Sequence, residues 1–500
     1  MNPPPRASHA SRRSAPKPEP LRREIERLQR EVERLRQQLA EKAEQVSKQQ
    51  KQIQDLEREL AASQRNSTNS SKPPSSDGLA GQPRTRGRRK KSRRKAGGQP
   101  GHRGSHRLRV PAERVDEVRP VLPAECRHCG EAMPRHLEEA TLLGAPRCHQ
   151  VTELPPIQAR TIEYQCHQVA CPQCGQGTRA ELPEEVQGQF GPDLTALIAY
   201  LTVVCRMPRR VVEALLEQVL GIEMSLGSTQ KCWEEASEAV ATPYQELERQ
   251  LQQEPVLNID ETGWRTNGDK RYLWAFVAAQ YAVYTVALTR GSEVLVRMLG
   301  AVFQGVLCSD RFSAYLKYHQ GKAQFCWAHL KRTLLGIAEF TKSNAVEQFC
   351  RNALAQHAKL FRLWHKFCDG RIDRAQLMRR SVLIQQRIAE LAARNLSSRN
   401  SEVRNLALAL FEHQDRLYTF LEIAGVEPTN NSAERALRIA VQMRKVFFGN
   451  RSVAGELAIA RLLTVSETCR KQDRNVLVYL SAAILSYRRG QAVASVLPRR

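Results

Sequence analysis

The sequence predicts a multidomain chain: an N-terminal α-helical coiled coil, a small zinc-binding module, a helical segment, and an α/β core interrupted by a helical insertion. Three observations predict it. Apolar residues recur with a heptad period from Leu21, two Cys-x-x-Cys pairs follow farther on, and two short apolar runs each end in an aspartate.

A chain of 500 residues exceeds one ordinary hydrophobic core. Lys and Arg number 77 against 52 Asp and Glu, leaving a net charge of +25, for which the usual partner is a polyanion. The apolar content of 41% suffices for globular cores. No run of 18 or more apolar residues occurs, which excludes a transmembrane helix and a membrane partner. The N-terminus lacks a signal-peptide stretch. Thirteen cysteines in such a chain argue against a disulfide scaffold. A soluble cytoplasmic protein on nucleic acid is the expectation.

Residues 1–20, rich in Pro, Ser and Arg, read as disordered. Over 21–64, Ile25, Val32, Leu39, Val46, Ile53 and Leu60 form one seam of a coiled coil. Leu21, Leu28, Leu35 and Leu56 occupy the other seam position, which Lys42 and Gln49 interrupt. Such a helix self-associates, so a homo-oligomer is expected. Residues 65–110 read as a basic flexible linker: a polar turn-forming stretch, then twelve Arg or Lys and no acid over 79–110. Arg84, Arg86, Arg88, Arg89, Lys90, Lys91, Arg93, Arg94 and Lys95 make its densest part. Such a strap binds phosphate without reading sequence.

The zinc module is expected over 111–185. Cys126 and Cys129 form one pair and Cys171 and Cys174 the other, each followed by a glycine. Two residues between thiolates let both reach one tetrahedral ion from a tight turn, and glycine supplies the turn's backbone angles. Four such sulfurs predict a structural Zn²⁺. Cys148 and Cys166 lie between the pairs and read as metal ligands or, preferably, as buried thiols. Residues 186–252 read as helices, with Gly221 breaking one and Ser225 to Thr229 capping the next, a helix-turn-helix-like pattern.

Val256-Leu-Asn-Ile-Asp260 and Gly305-Val-Leu-Cys-Ser-Asp310 are apolar strands ending in acids, and Tyr272 to Leu288 reads as paired strands around Gln280. Two aspartates at strand ends suit Mg²⁺, which prefers oxygen ligands and shares them with substrate phosphate. A third acid completes a two-metal site. Glu434 is the candidate, in the first turns of a helix entered through Pro428-Thr-Asn-Asn, with Arg435 and Arg438 beside it as phosphate-seeking cations. No Walker loop and no Gly-x-Ser-x-Gly elbow occurs, which leaves nucleotide hydrolysis and serine hydrolase chemistry unsupported.

Asn69 to Asp77, Gly97 to Gly104, Asp260-Glu-Thr-Gly-Trp264, Cys326-Trp-Ala-His-Leu-Lys-Arg332 and Asn430-Asn-Ser-Ala-Glu-Arg435 follow one another along the chain. In these motifs the chain resembles transposases of the bacterial insertion-sequence family known as IS-sixty-six, from about residue 21 to 490. The resemblance implies a ribonuclease-H-like core with a catalytic Asp, Asp, Glu triad on Asp260, Asp310 and Glu434. It also implies Mg²⁺ or Mn²⁺ as catalytic cofactor, double-stranded DNA as element ends and target, and small accessory proteins encoded by family elements. The core is expected over 253–340 plus 428–470 and the helical insertion over 341–427. The stretch from Asp310 to Glu434 is too long for a compact connection. Residues 471–500 add a helix and a tail. Glu261 is expected to point to the sheet face opposite Asp260, and His329 reads as a packing residue. A DNA-binding protein without catalysis and a nuclease without strand transfer are the alternatives.

Overall fold

The computed structural model describes residues 19–65, 108–155 and 157–498. The nine cations of the basic strap, and the N-terminal lead up to residue 18, lie outside these. In chain order the first elements are α1 (Glu19–Gln64), β1 (Gln168–Ala170), β2 (Gly177–Arg179), α2 (Pro192–Val203), α3 (Arg209–Leu220), α4 (Leu226–Ala239) and α5 (Ala241–Gln250). Next come β3 (Val256–Thr266), β4 (Asp269–Val277), β5 (Ala282–Ala287), α6 (Ser292–Leu299), β6 (Val306–Ser309), α7 (Ser313–Tyr318) and β7 (Ala323–Phe325). Helices follow: α8 (Trp327–Phe340), α9 (Asn344–Cys368), α10 (Arg374–Ala393), α11 (Ser401–Glu412), α12 (Thr419–Glu422), α13 (Asn431–Phe447), α14 (Val453–Lys471) and α15 (Val476–Arg488).

The chain divides into two compact units, Met1–Gln82 with Trp327–Gln414, and Pro83–Cys326 with Asp415–Arg500. In the first, α1 is an uninterrupted helix of 46 residues, about 69 Å long. Ion pairs one turn apart, such as Arg27 with Glu24 at 3.5 Å and Lys48 with Glu44 at 2.8 Å, run along it. Its apolar seam, Ile25, Val32, Leu39, Val46, Ile53 and Leu60, is exposed. The helices α8 to α11 pack in succession, burying Leu360, Leu377, Ile384, Ile388, Val403 and Leu406. Asp373 starts α10 with a capping box: it accepts from the Gln376 N–H at 2.7 Å, and Gln376 Oε1 accepts from the Asp373 N–H at 3.3 Å.

The second unit is built on a mixed five-stranded sheet in the order β5-β4-β3-β6-β7. The strands β3, β4 and β5 form an antiparallel meander, whereas β6 and β7 run parallel to β3. The meander's first turn is Asn267-Gly268, with φ of 51° and 85°, the left-handed pair a tight hairpin requires. Its second turn lies around Gln280, as the sequence predicts. In β5, Arg297 of α6 donates to Thr285 Oγ1 at 3.0 Å, while Tyr284 donates to the Ala436 carbonyl of α13 at 3.0 Å. Consecutive strand residues point to opposite faces, so α6 and α13 cover opposite sides of the sheet. The edge of β5 is closed by α14: the Tyr284 and Ala282 N–H groups donate to Thr464 Oγ1 at 2.9 Å and Thr468 Oγ1 at 3.3 Å. Nearly every residue of α14 from Ala458 to Cys469 is buried, as in a helix surrounded by packing partners. The left-handed Gly221 ends α3 and Ser225 caps α4, accepting from the Ser228 N–H at 3.1 Å.

Candidate active site

The strands β3 and β6 set the site. Their parallel register pairs Asn258 with Cys308, so Asp260 and Asp310 lie two residues beyond one registered pair. Neighbouring strands run about 4.8 Å apart, which brings the two aspartates side by side where β6 ends. In β3 Asp260 pairs with Ala275, which pairs with Tyr284, placing Asp260 on the face that α13 covers.

The start of α13 is pinned to that strand. Asn430 Nδ2 donates to the Ile259 carbonyl at 2.7 Å, one residue before Asp260, and the Asn430 N–H meets Cys326 Sγ at 3.2 Å. The helix's inner face is Ala433, Ala436, Leu437, Ala440 and Met443, mostly small side chains that allow close approach to the sheet. Glu434 therefore sits in the first turn of a helix held against β3.

The charges of neighbouring acids converge on Asp260. Burial holds the Asp260 carboxyl well above its ordinary range, and the charges of Glu261, Asp310 and Glu434 add to the effect. Only the Glu261 N–H, donating to Asp260 Oδ1 at 3.0 Å, opposes it. Asp310 is pushed up to about 6 by burial and by Glu261. The Phe312 N–H at 2.8 Å and the guanidiniums of Arg290 and Arg311 hold it from rising further. Like charges in one desolvated neighbourhood disfavour ionisation of each other. The carboxylate oxygens of the three are not drawn within 4.8 Å of one another. Carboxylate oxygens are the hard donors that a divalent cation such as Mg²⁺ prefers.

Glu261 takes a different role on the other face, where the strand alternation puts it. It pairs with Trp274, whose ring meets Tyr315 edge-on at 6.0 Å. Its side chain is 2% exposed, accepts from Arg290 Nε at 2.9 Å and from the Tyr315 hydroxyl, and is thus neutralised locally. Arg290 lies over the Phe312 ring at 4.3 Å. Sequence reasoning does not find this cluster, because Arg290 and Tyr315 stand in separate elements with no local motif to flag them.

The two cysteine pairs form matching turns. The Gly130 N–H donates to the Cys126 carbonyl at 2.9 Å and the Gly175 N–H to the Cys171 carbonyl at 2.8 Å. Gly130 and Gly175 have φ of 79° and 70°. Backbone N–H groups of His128 and Cys129 hold the Cys126 thiol below its ordinary value, as those of Cys174 and Gln173 do for Cys171. Such donors favour thiolate, the form that binds zinc. Each pair stands as its own knuckle, and the four sulfurs are not gathered within 4.8 Å of one another. The expectation that Cys148 and Cys166 are buried is incorrect: Cys148 is exposed and Cys166 half-buried. Their stretch is largely extended chain with few apolar neighbours, so it has no core to receive them.

Arg435 and Arg438 lie on the exposed side of α13, away from its buried alanine face. The helix-turn-helix-like segment presents a different surface at its turn. An open pocket of about 420 Å³ there is lined by Glu213, Glu217, Glu223, Met224 and Ser225. An acidic rim of this kind repels polyanions.

Residues 187–457, more than half of the chain, match the model of the Transposase IS66 family. The chain belongs to that family. The IS66 transposase match takes in Asp260, Asp310, Glu434, Arg435 and Arg438, and begins after the four paired cysteines. Residues 16–108 match a family of unknown function, DUF6444. Among curated proteins, the uncharacterized protein y4qI of Sinorhizobium fredii (strain NBRC 101917 / NGR234) is 25% identical over 253 residues. That alignment covers 45% of this chain and 46% of the relative, so the chain spans about half the length of the curated relative it matches. Among the described residues, no helix is long and apolar enough to cross a membrane.

Proposed function

We propose that this IS66-family chain is a DDE transposase that cleaves DNA at the ends of an insertion sequence and joins them to target DNA. The observation that carries the reading is the register of β3 against β6, which aligns Asp260 with Asp310 beneath the helix bearing Glu434. The sheet order, a three-stranded antiparallel meander followed by two parallel strands, supports a ribonuclease-H-like core. The helices α9 to α12 occupy the place of an insertion between its second and third acids.

Asp260, Asp310 and Glu434 would hold Mg²⁺ or Mn²⁺. The ion supplies a Lewis acid for a phosphodiester and for the oxygen that attacks it. The chain's own residues prepare that site. Asn430 fixes the entrance of α13 to Ile259, which holds Glu434 in place over the sheet. The Phe312 N–H orients the Asp310 carboxylate. Arg290 and Tyr315 hold the Glu261 carboxylate through an ion pair and a hydrogen bond. In the reaction, water attacks phosphorus and the bond to the 3′ oxygen breaks, freeing a 3′-hydroxyl at the element end. That hydroxyl then attacks a phosphorus of the target strand and displaces the target's own 3′ oxygen. No bond to the protein forms.

The exposed seam of α1 would pair protomers so that two DNA ends meet, and the basic strap from Arg84 to Lys95 would add salt-dependent affinity. The cysteine knuckles would carry a structural Zn²⁺ and help recognise ends, with Arg435 and Arg438 on backbone phosphate. Small accessory proteins and a cytoplasmic, nucleoid-associated setting belong to the same reading. The test is incubation of the purified protein with the DNA flanking its own reading frame and Mg²⁺. New 3′-hydroxyl ends and joined products that vanish in Asp310→Asn, with DNA binding retained, support the proposal. Cleavage without joining makes the protein a nuclease, and binding without cleavage a DNA-binding protein.

A further inference from the structure

Phe448 closes the helix that carries Glu434, and it does so against two local preferences. It adopts φ of 61°, the left-handed region where a helix end ordinarily takes glycine. Its side chain is also 79% exposed, so the largest apolar group of the turn buries almost nothing. Neither feature helps the fold.

The turn is nevertheless held firmly. Gly449 follows with φ of 103°, and a Cβ there would stand 2.1 Å from the Arg265 carbonyl. The Asn450 N–H donates to that carbonyl at 2.9 Å, and the Asn267 N–H donates to the Asn450 carbonyl at 2.8 Å. The backbone of the turn is thus clamped to the tip of the β3–β4 hairpin, and Phe448 projects from it into solvent.

Its surroundings are cationic. Arg435, Arg438 and Lys445 follow one another along the exposed side of α13, and Arg451 lies just beyond the turn, also exposed. Val446 and Val453 are exposed as well, but they are smaller and offer no ring. An exposed aromatic carried on a clamped turn, on a surface rich in phosphate-seeking charge, has the chemistry of a platform for a nucleobase.

We propose that Phe448 stacks on an unpaired base of the bound DNA, while the cations of α13 track the adjoining phosphates. Phe448 stands fourteen positions after Glu434, about 21 Å along the helix. This inference rests on the transposase reading above.

The test uses the full chain and two probes: a blunt mixed-sequence duplex, and the same duplex with a ten-nucleotide single-stranded tail carrying 2-aminopurine. Wild type binds the tailed duplex more tightly and changes the 2-aminopurine fluorescence. Phe448→Gly relieves the left-handed strain, so its melting temperature stays or rises, yet it loses about 10-fold in affinity for the tailed duplex. Its affinity for the blunt duplex is unchanged, and Phe448→Trp restores the tail preference. Equal binding of both probes by wild type and Phe448→Gly overturns the stacking role and leaves the transposase reading intact. Loss of self-association in Phe448→Gly overturns it in favour of a protein interface. Failure of wild type to bind either duplex overturns both readings.

Discussion

Replacing Asp310 by Asn should make the metal-free protein more stable at neutral pH, although it removes a proposed catalytic group. The folded protein holds this carboxyl at about 6 against an ordinary 3.8, because the side chain is desolvated beside Glu261. A group whose folded value is raised leaves full stability below the ordinary value. Between pH 4 and 6 the unfolded chain ionises while the folded chain keeps its proton, and stability falls by about 1.4 kcal/mol per pH unit. Above pH 6 the loss is complete, at about 3 kcal/mol. Asn keeps an oxygen to accept from the Phe312 N–H, now 2.8 Å from Asp310 Oδ1, and carries no charge. The assay is thermal melting in a chelator at pH 4.5 and 7.5. At roughly 2 °C per kcal/mol, Asp310→Asn should melt about 6 °C higher at pH 7.5 and only about 2 °C higher at pH 4.5. Added Mg²⁺ should then raise wild type and leave the variant unmoved. A variant that melts lower at pH 7.5, or gains equally at both pH values, refutes the reasoning.

Three further outcomes follow from the same structure. Thr464→Val keeps shape but leaves the Tyr284 N–H without its acceptor at a buried sheet edge, and should cost about 1–3 kcal/mol in denaturant unfolding. Zinc content by mass spectrometry should be one ion per chain, falling below half in either Cys126→Ser or Cys171→Ser while melting of the unit that holds α8 to α11 is unchanged. Val32→Glu with Leu35→Glu places charge on the exposed seam of α1 and should reduce the oligomer to monomers in sedimentation, with no loss of helix signal in the rest of the chain.

The candidate acids stand near breaks in local pattern: Asp310 follows the end of β6 and Glu434 a helix entrance at Asn430. Asp260 is not the strand end that the sequence predicts, because β3 continues past it to Thr266. The hairpin around Gln280 was legible from β-branched and aromatic alternation, and α1 from its heptads. What joins these pieces was not. The link from Asn430 to Ile259 spans 171 residues, and the threonines that cap the edge of β5 lie 180 or more residues away in α14. Single hydrogen bonds at such separation leave no trace in periodicity. Glu261 was expected on the opposite face from strand alternation, but the arginine and tyrosine that neutralise it there were not. Cys148 and Cys166 were misjudged because cysteine's general preference for burial says nothing in a segment without a core. Nothing in the sequence marks Phe448 either, because its left-handed backbone and its exposure arise only in the folded helix end.

The central claim is that Asp310 ligates the metal that drives strand cleavage, and a change of ligand chemistry tests it most directly. Asp310→Cys replaces hard oxygen by soft sulfur, which Mg²⁺ tolerates poorly and Mn²⁺ better. Cleavage of the flanking DNA ends should vanish in Mg²⁺ and return in Mn²⁺ for this variant, while wild type works in both. Equal cleavage by Asp310→Cys in Mg²⁺, or none in either metal with folding and DNA binding intact, would contradict the account.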